Sequence, residues 1–483
     1  MKTTIYKTAT RFALAPLLAS MVLAGCATAP ALDLLRVPAI PAAFKEADSG
    51  QWTTIAPAET QARGEWWKAF GDTTLDGLVA QAASNNTSVQ QAAARLAQAT
   101  AQLRGADADR APQLGVGANA SRQRELATGN GPYSLFGVGA TLSYEVDLFG
   151  RLTGASKAAG FEASSSAALL QSTRLLVQSQ VAQTYLALRA LDEERALVRQ
   201  TVATYRNTQD LTERRLRAGD VAELDLARVR TQVATTESEA LALDRQRAAL
   251  EHALAALVGA TASSFTVAAT EWTTSLPVIP ANVPGTVLAR RPDVSAALNS
   301  LLAAQQRLGV AKTAFFPNIS LTAQGGTAAT DIAELLEWSA RSWGIGALLS
   351  LPVLDGGRRE AGVQAATALQ DFAMAGYREQ ILAAFRDVED QLSALSLLSA
   401  QAEAQQRAVS SSERATALSN SRYRNGLIGQ LDLLDAQRSE LANRRQAVQV
   451  KSAQYLATVG LIRALGGGWE TTMPASATVV SAR

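Results

Sequence analysis

Along most of the chain the apolar positions fall three and four residues apart. Residues Val177, Val181, Thr184, Leu188, Leu191, Arg195, Val198, Val202 and Tyr205 form one such seam, a heptad pattern broken twice by a polar side chain. Neither Gly nor Pro occurs from Phe161 to Ala218 or from Tyr377 to Asn425. The first of these runs predicts a helix of roughly 85 Å at ~1.5 Å per residue. Gly219 and Gly426 break the pattern, and helical periodicity then returns as far as Gly259 and Gly466. The spacing therefore predicts two long helical hairpins, about 154–258 and 358–465, with tips at Gly219 and Gly426.

Upstream of each hairpin the period changes to two. "FGVGATLSYEV" sets Phe136, Val138, Ala140, Leu142, Tyr144 and Val146 on one face, and "SWGIGALLSLPV" does the same with Trp343, Ile345, Ala347, Leu349, Leu351 and Val353. No charge interrupts Phe136 to Tyr144 or Trp343 to Val353. Such alternation suits strands that face lipid on one side. Tyr133, Tyr144, Trp338 and Trp343 stand near the strand ends, where aromatic girdles belong. Each strand is preceded by a Pro-marked partner, in "DRAPQLGVGANA" and "AFFPNISLTAQG", giving strand regions of about 113–148 and 318–354.

The two halves are copies. Gly150-Arg151, Val181, Gly219, Asp225 and Gly259 recur 207 residues later as Gly357-Arg358, Val388, Gly426, Asp432 and Gly466. Upstream the offset is 205, pairing Pro112 with Pro317 and Val89 with Val294, and a two-residue indel is what a hairpin loop tolerates. The tandem units span 66–260 and 261–468.

Lys2, Lys7 and Arg11 followed by "FALAPLLASMVLAG" read as an export leader, 1–25, too short in its apolar part to span a bilayer. The leader ends in "LAGC", and Cys26 is the sole cysteine. This resembles the bacterial lipoprotein signal, which implies acylation of Cys26, and Ala27 after it favours outer-membrane sorting. A lipid-anchored extension, 26–65, and a tail, 469–483, without helical periodicity complete the chain. Without the leader's three cations the chain carries 42 basic against 43 acidic residues, so nothing points to a nucleic-acid partner. No later stretch is apolar enough for a spanning helix, and any membrane crossing is by strands.

Four strands are too few for a closed barrel, which starts at about eight. Two copies give eight strands around a filled interior, and three give twelve around a lumen. "SYEVDLFGR", "LSLPVLDGGRR", "RRPDV", "FFPNISL" and "RYRNGLIGQLDLLDAQR" resemble the TolC-type outer-membrane efflux factors, and "LAGC" resembles their lipoprotein, NodT-like branch serving resistance–nodulation–division pumps. The resemblance covers roughly Trp66 to Gly468. It implies an α+β membrane protein: a homotrimer with a 12-stranded transmembrane β-barrel, a 12-helix periplasmic α-barrel and a mixed equatorial belt. The implied partners are a periplasmic adaptor, an inner-membrane pump and outer-membrane lipid. The implied function is that of a passive exit duct for small molecules.

The family closes its periplasmic entrance at the hairpin tips. By motif, Tyr423 and Asp225 would link the two hairpins, and Asp432 with Asp435 would form a carboxylate ring favouring cations. Some members carry a charge two residues past the tip glycine; here Leu427 and Ile428 follow Gly426, which points to a partly apolar gate or to apolar caps that contact the adaptor.

Enzyme signatures are missing. His252 is the single histidine, too few for a zinc cluster, and neither "GVGANA" nor "GVGATL" completes a dinucleotide loop. The chain needs no cofactor beyond the lipid on Cys26. Glu145 and Asp147 resemble a catalytic pair but fit better as pins of the strand-to-helix junction with Arg151. "RRPDV" offers a possible anion site, or a structural role in which Pro292 opens a helix and Asp293 sits beside its N-terminus. Two rivals stay open: a channel for type I protein secretion, and a pore-free, lipid-anchored coiled-coil scaffold.

Overall fold

The computed structural model describes residues 41, 43–46, 64–124, 131–277 and 290–467. The leader 1–25, Cys26, most of the 26–65 extension and the 469–483 tail lie outside the described residues. The chain folds as α1 (Thr73–Asn85), α2 (Thr87–Ala108), β1 (Gln113–Gln123), β2 (Tyr133–Val146), α3 (Arg151–Arg217), α4 (Glu223–Leu257), α5 (Pro292–Thr313), β3 (Asn318–Ala329), β4 (Arg341–Ser350), α6 (Arg358–Arg424) and α7 (Gln430–Ala464). The bounds of α5 are those of α2 shifted by 205, and those of α6 and α7 are those of α3 and α4 shifted by 207. Among the described residues no helix is long and apolar enough to cross a membrane.

The described residues form two compact units. One contains Arg95–Ala167 and Ala296–Glu379, and the other contains the rest. In the first, the strands form an antiparallel meander in the order β1-β2-β3-β4, so the two repeats join through β2 and β3. The register aligns the side chains in rows. Leu114, Leu142, Ala323 and Ile345 share one row, Val116, Ala140, Gly325 and Trp343 the next, and Ala118, Val138, Thr327 and Arg341 a third. The opposite face carries Gln113, Ser143, Thr322 and Gly346, then Gly115, Thr141, Gln324 and Gly344, with Leu135 and Leu348 as its large apolar exceptions. One face is therefore apolar and the other is small and polar, because side chains alternate with period two. Among the described residues much of the apolar face is uncovered: Val116 is 78%, Ile345 80% and Trp343 82% exposed.

The strands hand over to helices through fixed polar contacts. Arg151 donates two hydrogen bonds to Glu145, from Nε at 2.8 Å and from Nη2 at 2.6 Å. The Asp147 carboxylate accepts from the backbone N–H groups of Leu152 (3.0 Å) and Thr153 (2.7 Å), capping α3. Asp355 caps α6 in the same manner through Gly357 and Arg359. Glu145 and Asp147 thus pin the junction. The ladder of β4 stops at Ser350, short of the expected 354, since Pro352 has no N–H to donate. Phe149 and Phe316 stack at 4.9 Å beside these junctions.

In the second unit the predicted seam is buried. Val181, Leu188, Val198 and Tyr205 are all fully enclosed. Its polar interruption Arg195 pairs with Asp192 (2.9 Å) and with Asp244 of α4 (2.6 Å), so this seam position holds an ion pair between the arms of one hairpin.

Glycine is required where β2 and β3 approach. A Cβ on Gly326 would lie 2.4 Å from the Val138 carbonyl oxygen and 2.6 Å from Gly139 Cα, both backbone atoms that cannot turn aside, whereas one on Gly325 would meet nothing within 4 Å. Gly326→Ala is expected to cost about 1–3 kcal/mol by overpacking and to lower the yield of inserted protein. Gly325→Ala is expected to match the wild type in protease resistance and gel mobility shift on heating. Equal behaviour of the two variants would refute this account of the β2–β3 contact.

Candidate functional site at the hairpin tips

Both tips turn by the same hydrogen bonds. Asp220 N–H donates to Arg215 C=O (2.9 Å) and Gly219 N–H to Leu216 C=O (3.0 Å). At the second tip Leu427 N–H donates to Arg422 C=O (2.9 Å) and Gly426 N–H to Tyr423 C=O (3.0 Å). This is the Schellman pattern, which needs a left-handed residue, and Gly219 (φ 83°) and Gly426 (φ 71°) supply it.

Packing decides which side chains face outward on α7. Leu433 and Leu434 are buried, and Leu434 joins Tyr205, Val229 and Val233 in one cluster that ties α7 to α3 and α4. Asp432 and Asp435 flank that pair and are exposed. Asp432 also caps its own helix, accepting the Gly429 N–H at 3.2 Å. Leu427 is 68% exposed and Ile428 is half-buried.

The expected Tyr423–Asp225 link is not formed in this chain. Tyr423 is buried and its hydroxyl has no hydrogen-bond partner. Asp225, in the first turn of α4, lies 3.8 Å from Arg228, one turn along the same helix. The hairpins meet through a different contact, the Arg215 guanidinium 5.3 Å from the centroid of the Tyr423 ring. Gln430, which the sequence did not single out, is also buried at this tip, with both amide atoms lacking partners.

Below the tip α7 is fastened to the first hairpin by charged bonds. Arg438 donates to Gln232, Arg445 to Glu194 (2.8 Å) and Glu239 (3.0 Å), and Lys451 to Glu193 (3.0 Å). Burial pushes the Tyr205 hydroxyl beside this ladder up to about 12. None of these contacts showed as a motif, because the residues involved are far apart in sequence. His252 is an exposed residue of α4. Among the described residues no group of three or more His, Cys, Asp or Glu side chains could hold a metal ion.

The "RRPDV" stretch is structural. Pro292 is the first residue of α5, and Arg291 is buried, with its Nη2 on Asp293 (2.7 Å) and Asp387 (3.2 Å) and its Nη1 on the Ala464 carbonyl (3.2 Å). Its Nε, Nη1 and Nη2 thus each donate to an acceptor of the protein itself.

A four-stranded sheet with one apolar face, each of whose strand pairs is followed along the chain by a long helical hairpin, is the fold of an outer-membrane channel with a helical extension. The chain belongs to the outer membrane efflux protein family, whose model matches residues 78–260 and 283–467. It is 33% identical over 467 residues to the outer membrane protein OprJ of Pseudomonas aeruginosa, covering 95% of this chain and 96% of that one. It is 29% identical over 459 residues to the cation efflux system protein CusC of Escherichia coli, covering 95% and 99%. A solved membrane protein from Pseudomonas aeruginosa superposes with a TM-score of 0.82 at 33% identity, over 92% of this chain and 98% of the other. The fold is thus that of TolC-type outer-membrane channels, and the relatives are efflux proteins rather than enzymes.

One carboxyl in the first turn of α5 titrates usefully. Burial pushes the Asp293 carboxyl up, but the Arg291 guanidinium and the Val294 N–H outweigh it and hold it below the usual carboxylate range. A depressed folded-state value contributes stability that is present above about pH 4 and is lost as the pH falls through the folded value. Asp293→Asn is expected to lower stability at pH 7 by about 2 kcal/mol, less than for a wholly unpaired charge since Asp387 remains. The difference from wild type should shrink below about pH 4. Denaturation midpoints across that range check it, and equal midpoints at pH 7 would contradict it.

Proposed function

We propose that the chain is the passive outer-membrane exit duct of a tripartite efflux system. Three copies would close a 12-stranded barrel and a 12-helix periplasmic barrel, with an inner-membrane resistance–nodulation–division pump supplying energy and a periplasmic adaptor joining the two. An acylated Cys26 would anchor each copy. The observation that supports this most is the sheet itself, apolar on one face and ending in β1 and β4, neither of which has a second neighbour among the described residues. A pore-free scaffold has no use for such a sheet. Small molecules or ions, rather than secreted protein, are the proposed cargo, in keeping with the similarity to CusC, a cation efflux system protein.

At the entrance, Asp432 and Asp435 are proposed to form the carboxylate ring, with Leu427 and Ile428 as an apolar collar at the Gly426 tip and Arg215 on Tyr423 as the contact that holds the hairpins. Asp225 balances Arg228 beside them.

Single-channel conductance in a planar bilayer tests this. The wild type is expected to pass a small cation-selective current, and Asp435→Ala to raise it and weaken the selectivity. Asp435 is the cleaner probe, because removing Asp432 also costs a helix cap, about 1 kcal/mol. Leu427→Ala and Ile428→Ala are each expected to raise conductance; no change in either would remove the apolar collar. Silence from inserted, folded wild type would contradict the duct.

A further inference from the structure

The connection between β3 and β4 runs through two short 3-10 turns, Ile332–Leu336 and Trp338–Ala340. The opposite end of the sheet is where α2 and α5 enter and α3 and α6 leave, so this connection lies at the end remote from the helices. With the helices in the periplasm, it stands at the outer leaflet.

Trp338 is 79% exposed, and its ring lies against the guanidinium of Arg341, 4.0 Å from the centroid. Arg341 opens β4 and pairs with Thr327 in the row of Ala118 and Val138, which puts it on the apolar face. Trp343 and Ile345 follow it on that face, 82% and 80% exposed. An arginine at the top of a lipid-facing surface thus stands over an indole. Among the described residues no carboxylate is paired with it. A cation–π contact uses a face of the guanidinium and does not consume its N–H donors, whose fork geometry matches phosphate oxygens. An indole and a cation at this level suit the headgroup region, with acyl chains against the apolar residues below.

We propose that Trp338 and Arg341 form a binding site for the phosphate of an outer-leaflet phosphorylated lipid, whose acyl chains lie along Trp343 and Ile345. The site rests on the apolar face of the sheet meeting lipid, as the duct does.

The test is native mass spectrometry of the full-length protein released from detergent, titrated with bis-phosphorylated lipid A or with the same lipid stripped of phosphate. Wild type is expected to prefer the phosphorylated lipid. Arg341→Gln should bind it about tenfold more weakly, the loss of one charge-assisted contact, and Arg341→Lys should recover part of that. Trp338→Ala should also weaken it, while none of the three variants changes binding of the stripped lipid. Equal binding by wild type and Arg341→Gln would overturn the site. Displacement of the lipid by inorganic phosphate alone would assign the pair to a free anion and overturn the lipid assignment. Dissociation of the oligomer in either variant without added lipid would assign the pair to a contact between copies, again overturning it. Conductance separates the two proposals. A wild type that binds the phosphorylated lipid but never conducts overturns the duct and upholds the site; one that conducts without preferring that lipid overturns the site alone.

Discussion

In a bilayer, a backbone N–H or C=O without a partner costs several kcal/mol, and the structure depends on that constraint. β1 has 11 residues and β4 has 10, and each borders the sheet on one side. On an antiparallel edge about half the residues turn both polar groups outward, so each edge leaves roughly ten groups unpaired. The summed cost, tens of kcal/mol, exceeds the whole stability of an ordinary domain, about 5–15 kcal/mol. On the proposed reading a single copy could not insert this sheet, closure by further copies would be the physical way out, and the number of copies would set the bore.

The polar face of the sheet follows from the same requirement. Gly115, Gly344 and Gly346 alternate there with Gln, Ser and Thr, so the surface opposite the lipid stays small and hydrophilic. Gly326 lets the backbones of β2 and β3 approach where the two repeats join. Helices continue from the strands through Asp147 and Asp355, whose carboxylates take the N–H groups that a helix start leaves without partners. Lipid and water are thus addressed by two faces of one sheet, while the helices satisfy their backbone internally.

Much of this was legible in the sequence because it is periodic. The heptad seam through Val181, Leu188 and Val198, the alternation through Val138 and Ile345, and the repeat offset of 207 all survive as burial, facing and element bounds. The tip glycines were readable for a local reason, their positive φ. What sequence could not supply was pairing between distant side chains. Tyr423 was expected on Asp225, yet it takes Arg215, while Asp225 lies beside Arg228 one turn away. Gln430 gave no signal, since a buried glutamine looks like any polar residue at a helix start. The fastening of Arg445 to Glu194 and Glu239 joins residues 251 and 206 positions apart, and no spacing rule reaches that far.

The most direct measurement is the mass of the folded protein extracted from membranes and stripped of detergent in the gas phase. Closure by three copies predicts a single species of three chains that survives mild activation and conducts when returned to a bilayer. A folded, inserted species of one or two chains would contradict it, because neither can both pair the edges of β1 and β4 and leave a lumen.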